Sequence, residues 1–221
     1  MGAFLLLLAM LAGMMPQTVL PAVAADYTEP YLNQMVACGF MRGDIDGNLN
    51  PNNNITRAEF VTIINRAFGY DRVGTTPFTD VKDTDWYAED VAIAYTAGYI
   101  TGTSESTFSP LSEITREEAA VILARNMMMQ PAVGENTDFT DGRDLSSWSS
   151  GLVSTASAYN LISGYPDGSF RPQNPITRGE VAIMVTKAIG TPVQEPGDHS
   201  LGNVYGNVVI TDSGITLRDT T

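Results

Sequence analysis

Three arginines stand in one recurring setting: Ile55-Thr56-Arg57-Ala58-Glu59-Phe60, Ile114-Thr115-Arg116-Glu117-Glu118-Ala119 and Ile176-Thr177-Arg178-Gly179-Glu180-Val181. A guanidinium brings a ligand a permanent positive charge and a planar fork of donors. Its position here asks for a reason. Thr followed by Glu three residues later is a capping box, in which the hydroxyl accepts from the N3 amide and the Glu reaches back to the N-cap amide. Each stretch therefore opens a helix, and its Thr and Glu are structural. The Arg sits in the first turn, facing the positive end of the helix dipole, a mildly unfavourable place. The same misplacement three times in one frame predicts that the Arg is kept for a ligand.

The frame extends well beyond the anchors. Ile55 to Ile114 is 59 residues and Ile114 to Ile176 is 62. Reading back from each anchor aligns Gly43, Gly102 and Gly164, then Leu49, Phe108 and Phe170, then Pro51, Pro110 and Pro172. Further upstream Tyr27, Trp86 and Trp148 align, the two Trp preceded by Phe78-Thr79-Asp80-Val81 and Phe139-Thr140-Asp141-Gly142. This is one unit copied three times, and internal repeats dictate architecture.

Each unit reads as helix, loop, helix. The first helix is predicted from about Pro30 in the first unit, over Trp86 to Ile100 with Asp85 as cap in the second, and over about Trp148 to Leu161 in the third. The loop is rich in Gly, Pro, Asn and Asp, as in Gly43-Asp44-Ile45-Asp46-Gly47-Asn48, which is turn chemistry. The second helix carries an apolar stripe: Phe60, Ile63, Ile64, Ala67 and Phe68; Ala119, Ile122, Leu123 and Met127; Val181, Met184, Val185, Ala188 and Ile189. One helix pair buries too little surface to stand alone. The expected fold is mainly α, with the three stripes packed about a pseudo-threefold axis into one composite domain.

Residues 1–25 read as a signal peptide, with an apolar stretch from Leu5 and a small-residue cleavage site at Ala22-Val23-Ala24-Ala25, although no Lys or Arg precedes the apolar core. The three units then occupy 26–72, 73–133 and 134–190. A linker of 191–203 follows, and 204–221 reads as the start of a truncated β-rich region, with Val204, Val208, Ile210, Ile215 and Leu217 spaced like strand residues around Asp212-Ser213-Gly214. The formal charge of −13 argues against general nucleic-acid binding, without excluding a local anion site. A single cysteine, Cys38, leaves no intrachain disulfide; it aligns with Ala97 and is expected to be a small buried helix residue.

With these residues in hand, the stretch from about 26 to 190 closely resembles the S-layer homology domain family. The resemblance rests on the Ile-Thr-Arg-x-Glu anchors, on Phe-x-Asp-Val before a Trp, and on Gly164-Tyr165-Pro166-Asp167-Gly168-Ser169-Phe170-Arg171-Pro172. It implies a secreted protein of the bacterial cell surface, held without covalent bonds on secondary cell-wall polysaccharide, often through a terminal pyruvylated amino sugar. It also implies ligand grooves between neighbouring units. Carried over to this chain, the ligand contacts are Arg57, Arg116 and Arg178, followed by Trp86 and Trp148 and then by Gly43, Gly102 and Gly164. A pyruvate ketal bears a carboxylate, which a guanidinium matches with paired donors, and unpaired amides at a helix start add positive potential there. The chain departs from the pattern in three places: Tyr27 replaces Trp and no Phe-x-Asp-Val lead precedes it, Glu105-Ser106 replaces Asp-Gly, and one extra residue separates Phe139 from Trp148.

Plainer readings stand beside these. Trp86 and Trp148 could plug the core or carry a sugar face, and the glycines could simply make tight turns. Asp44-Ile45-Asp46-Gly47 resembles a calcium loop, but with Gly47 sixth the first and twelfth positions are Arg42 and Asn53, where carboxylates are needed. His199 stands alone in the linker, and no nucleophile elbow, phosphate loop or zinc motif occurs. The expectation is a non-enzymatic anchoring region without cofactor. The alternatives are that it tethers a surface polysaccharide-degrading enzyme or adhesin whose active part lies beyond Thr221, or that it self-assembles without glycan.

Overall fold

Thr56, Thr115 and Thr177 each turn extended chain into helix by the same device. Every one has an extended backbone, its hydroxyl accepts from the amide of the Glu three residues on, and that Glu accepts from the Thr amide. The computed structural model describes residues 27–133 and 137–190 in full, and beyond them only the backbone of 191–193, 197–200, 208–210 and 215–218. The predicted signal peptide lies outside the described residues. In chain order the helices are α1 (Glu29–Ala37), α2 (Arg57–Phe68), α3 (Ala88–Ala97), α4 (Arg116–Asn126), α5 (Ser150–Ala158) and α6 (Arg178–Ile189), with a 3₁₀ turn at Gly142–Asp144. The described part is mainly helical. No helix among the described residues is long and apolar enough to cross a membrane.

The capped helices start where predicted, and the uncapped ones differ. Helix α3 begins at Ala88 after Tyr87, with no side-chain cap, and ends at Ala97. Asp85 instead accepts from the amide of Lys82 at 2.8 Å, so its carboxylate closes the turn before the helix. Helix α5 likewise starts two residues after Trp148 and stops at Ala158. Cys38 is the C-cap residue of α1 and half-buried, because the helix ends at Ala37 and Gly39 turns left-handed.

Left-handed backbone recurs in frame: Gly39, Gly98 and Asn160; Asn50, Ser109 and Arg171; Gly69, Met128 and Gly190. Five of these nine positions hold a residue other than the permissive glycine, two of them Asn, so the repeat is one of chain path as well as of sequence.

The first helix of each unit packs on the second helix of another: α3 on α2, α5 on α4 and α1 on α6, with α2 also meeting α6. The predicted stripes are buried, except that Phe68 and Met127 lie half-buried against the core, and residues of all three units belong to one hydrophobic cluster. At its centre the anchors bond to one another. The amide of Ile55 donates to the carbonyl of Ile176 (3.2 Å), that of Ile114 to Ile55 (3.1 Å) and that of Ile176 to Ile114 (3.0 Å), closing a ring. Past Gly190, Thr191–Val193 pairs in parallel with Val208–Ile210, and Gly197–Ser200 with Ile215–Arg218. The first member of each pair falls in the stretch read as linker, and the two later strands pair with these segments, not with each other.

Candidate functional site

Each anchor arginine reaches out of its own helix into the neighbouring unit. Arg57 donates from Nε to the carbonyl of Phe108 (2.8 Å) and from Nη1 to Glu118 Oε1 (2.9 Å), with its guanidinium 5.0 Å from the Phe108 ring centroid. Arg116 repeats the pattern: Nε donates to the carbonyl of Phe170 (2.7 Å) and Nη2 to that of Ser163 (3.1 Å), and Nη1 forms an ion pair with Glu180 Oε1 (3.1 Å). Arg178 donates from Nε to the carbonyl of Leu49 (2.9 Å) and from Nη2 to that of Arg42 (2.6 Å). Leu49, Phe108 and Phe170 are the residues that the repeat frame aligns. Arg57 and Arg116 are 5% exposed, whereas Arg178 is half-buried and makes no ion pair among the described residues. Burial pulls the Arg57 guanidinium down from its ordinary value, and Glu118 and then Asp80 oppose that.

This corrects one expectation. The helix-start amides are not available to an anion. Arg57 and Ala58 donate theirs to the carbonyls of Ser112 and Pro110, Arg116 and Glu117 to Asn174 and Pro172, and Arg178 and Gly179 to Asn53 and Pro51. Neighbouring backbone takes up the amides expected to face a ligand, and the arginines staple one unit to the next.

Acidic residues hold the carbonyls in place. Asp80 accepts from the amides of Phe108 (2.9 Å) and Ser109 (2.8 Å), and Asp141 from those of Phe170 and Arg171 (both 2.7 Å). These are the Asp of the Phe-x-Asp lead, visible in the sequence only as a repeat marker. Glu118 and Glu180 were also read too narrowly. Each serves its own capping box through Oε2 and pairs with the preceding unit's Arg through Oε1.

Two grooves open beside these arginines. One, of about 430 Å³, brings Arg57 together with Gly102 and Trp148, along with Thr101, Glu118 and Arg125. It thus draws on all three units. The other, of about 440 Å³, joins Arg116, Gly164, Tyr27 and Tyr165 with an apolar wall that includes Leu161 and Met184. Tyr27 occupies here the repeat position that Trp148 holds in the first groove. Arg178 meets the loop that begins at Gly43, through the Arg42 and Leu49 carbonyls. Trp86 stands edge-on to Tyr87, ring centroids 5.3 Å apart.

Trp86 and Trp148 are 61% and 52% exposed, which overturns the core-plug reading. The glycines do make tight loops. A Cβ on Gly102 (φ +79°) would lie 2.5 Å from the Thr107 carbonyl oxygen, one on Gly164 2.7 Å from that of Ser169, and one on Gly43 2.9 Å from that of Gly47. The Glu105-Ser106 departure finds its explanation here. Gly47 and Gly168 carry the left-handed turn in their loops, whereas in the second loop Gly102 carries it and position 106 does not.

Tyr165 donates to Glu180 Oε1 and lies 4.7 Å from the Arg116 guanidinium. Burial first, and then Glu180, push its phenol up to about 12. The Asp44 carboxylate is filled by its own loop, accepting from the amides of Asp46 (3.0 Å) and Asn48 (2.8 Å) and the side chain of Asn50 (2.8 Å). No group of potential metal ligands occurs among the described residues. The first groove therefore offers fixed donors, one exposed indole and two cations against one carboxylate.

A family model described as the S-layer homology domain matches residues 20–61, 77–120 and 138–182. The Surface-layer 125 kDa protein of Lysinibacillus sphaericus is 31% identical over 166 residues, covering 74% of this chain and 14% of that protein. The Cellulosome-anchoring protein of Acetivibrio thermocellus is 31% identical over 157 residues, 68% of this chain and 35% of that one. An Amylopullulanase of Thermoanaerobacterium thermosulfurigenes is 34% identical over 150 residues, 66% of this chain and 8% of the enzyme. The chain thus spans about a third or less of the length of these relatives.

Proposed function

The chain belongs to the S-layer homology domain family, and on that premise we propose that it anchors a secreted protein at the bacterial cell surface by binding wall polysaccharide without covalent bonds. The observation that carries this is the groove in which Arg57, Gly102 and Trp148 meet. A buried donor group lies at its wall and an indole face is left open to solvent, which suits a sugar ring with a polar and an apolar side. The ligand we assign is a secondary cell-wall polysaccharide ending in a pyruvylated amino sugar. Its contacts are Arg57 with Trp148 in this groove, Arg116 and Gly164 in the second, and Arg178, Gly43 and Trp86 at the third corner. The ring of Ile bonds and the recurring left-handed residues support a pseudo-threefold arrangement of the units.

Relatives named for a surface layer, for anchoring a cellulosome and for an amylopullulanase support a tether that serves different cargoes, with any catalysis residing outside the shared stretch. The test is co-sedimentation of the chain with purified wall polysaccharide. Trp148→Ala is the variant of choice, since a half-exposed indole can be removed without opening the core. We expect its affinity to fall by about 2 kcal/mol, the scale of an aromatic anchor, at unchanged thermal stability. A wild-type chain that stays in solution with polysaccharide, or that sediments equally without it, overturns the proposal.

A further inference from the structure

Arg57 is held by a Phe108 carbonyl and by Glu118, so its charge is already balanced inside the protein. An anion placed beside that pair meets a nearly neutral unit. The same groove contains a second cation with no such balance. Arg125, in the last turn of α4, lines it half-buried, donates from Nη1 to Thr101 Oγ1 at 3.1 Å, and makes no ion pair among the described residues. Thr101 lines the groove as well and aims the guanidinium. The repeat frame puts Lys187 at the matching position of the next unit. Its ammonium donates to Ser163 Oγ at 2.7 Å, and Ser163 lines the second groove. The tether from a last-turn cation to a hydroxyl thus recurs, but only Arg125 itself lines its groove.

We propose that Arg125 is the specificity-determining residue of the Arg57 groove: it supplies the uncompensated positive charge that selects a sugar bearing a carboxylate over its neutral counterpart. Arg57 shapes the groove and offers a donor, and Trp148 carries the ring face. The inference rests on the polysaccharide-binding reading above and assigns, within it, the group that reads the acid. A carboxylate accepting from a guanidinium in a partly desolvated groove makes a charge-assisted bond, which a neutral sugar cannot replace. Loss of such a bond corresponds to about a tenfold change in affinity.

The experiment measures binding of the wild-type chain, Arg125→Gln and Arg125→Lys to wall polysaccharide before and after mild acid removal of its ketal-linked pyruvate. Wild type is expected to prefer the acidic form. Arg125→Gln should lower the ratio of the two affinities about tenfold and flatten its dependence on salt, and Arg125→Lys should restore most of the preference. A wild-type preference that survives intact in Arg125→Gln overturns this assignment and leaves the anchoring reading standing. A wild-type chain that binds neither form overturns both.

Discussion

The Arg57 groove and the Arg116 groove are built from the same repeat positions, yet they present different surfaces. Both hold a buried arginine stapled to a Phe carbonyl and to the Glu of the next capping box. Around that ion pair they part at one loop residue. In the second groove Tyr165 covers the ion pair, bonded to Glu180 and lying over Arg116. In the first the same position is Thr103, whose hydroxyl turns back to Thr107 and Ser109 of its own loop. Glu118 is consequently 26% exposed against 13% for Glu180. The backbone frame sets where the arginine goes, and a single loop side chain sets whether the pair is open to solvent.

The largest test of that comparison removes the arginines. Arg116→Ala strands Glu180 and two carbonyls in a buried place and should cost about 3–5 kcal/mol in denaturant unfolding, with Arg57→Ala at the lower end of that range. Arg178→Ala, which breaks two hydrogen bonds but no ion pair, should cost about 1–2 kcal/mol. Equal losses at all three would show that the ion pairs are not what distinguishes the corners.

Next in size are the loop glycines. Gly102→Ala imposes both a left-handed strain and a clash with the Thr107 carbonyl and the Phe78 ring, so a loss of about 2–3 kcal/mol is expected. Gly164→Ala meets a clash alone and should lose about half as much, read as the smaller drop in melting temperature. The reverse order would contradict the displaced turn of the second loop.

The smallest effect sharpens the contrast at Tyr165. Tyr165→Phe removes the bond to Glu180 and should cost about 1 kcal/mol near neutral pH. The phenol is pushed up to about 12 in the folded chain by burial and then by Glu180, against about 10 when unfolded. Its contribution is therefore fully present below about pH 10 and is lost as pH rises towards 12. The free energy of unfolding, followed across that window, should fall less steeply in the Phe variant. An identical fall would remove Tyr165 from the account.

The parts legible in the sequence were those decided within a few residues. Thr56, Thr115 and Thr177 with their Glu partners formed the capping boxes that the spacing predicts, because both halves of the device lie in one helical turn. Where no such device exists, at α3 and α5, the boundaries moved by two or three residues. The arginine's surroundings were hidden for another reason. Its main partners are backbone carbonyls and a Glu more than 50 residues away, and a carbonyl has no residue-type signature. The repeat frame had already aligned Leu49, Phe108 and Phe170, but as side chains, whereas each contributes its carbonyl. Arg125 went unremarked because one cation in a last helical turn is also what the dipole favours.

The three Ile amides have a consequence for how the molecule comes into being. A ring has no first or last member, so it closes only when its final segment is present; the bond from Arg178 to the Leu49 carbonyl spans 129 residues. Contacts of such separation demand loop closure before they return any stability, which makes folding slow and nearly all-or-none. The Arg57 groove itself takes a wall from the first unit, one from the second and Trp148 from the third. The groove is therefore indivisible: a chain shortened by one unit does not keep part of it but loses it altogether.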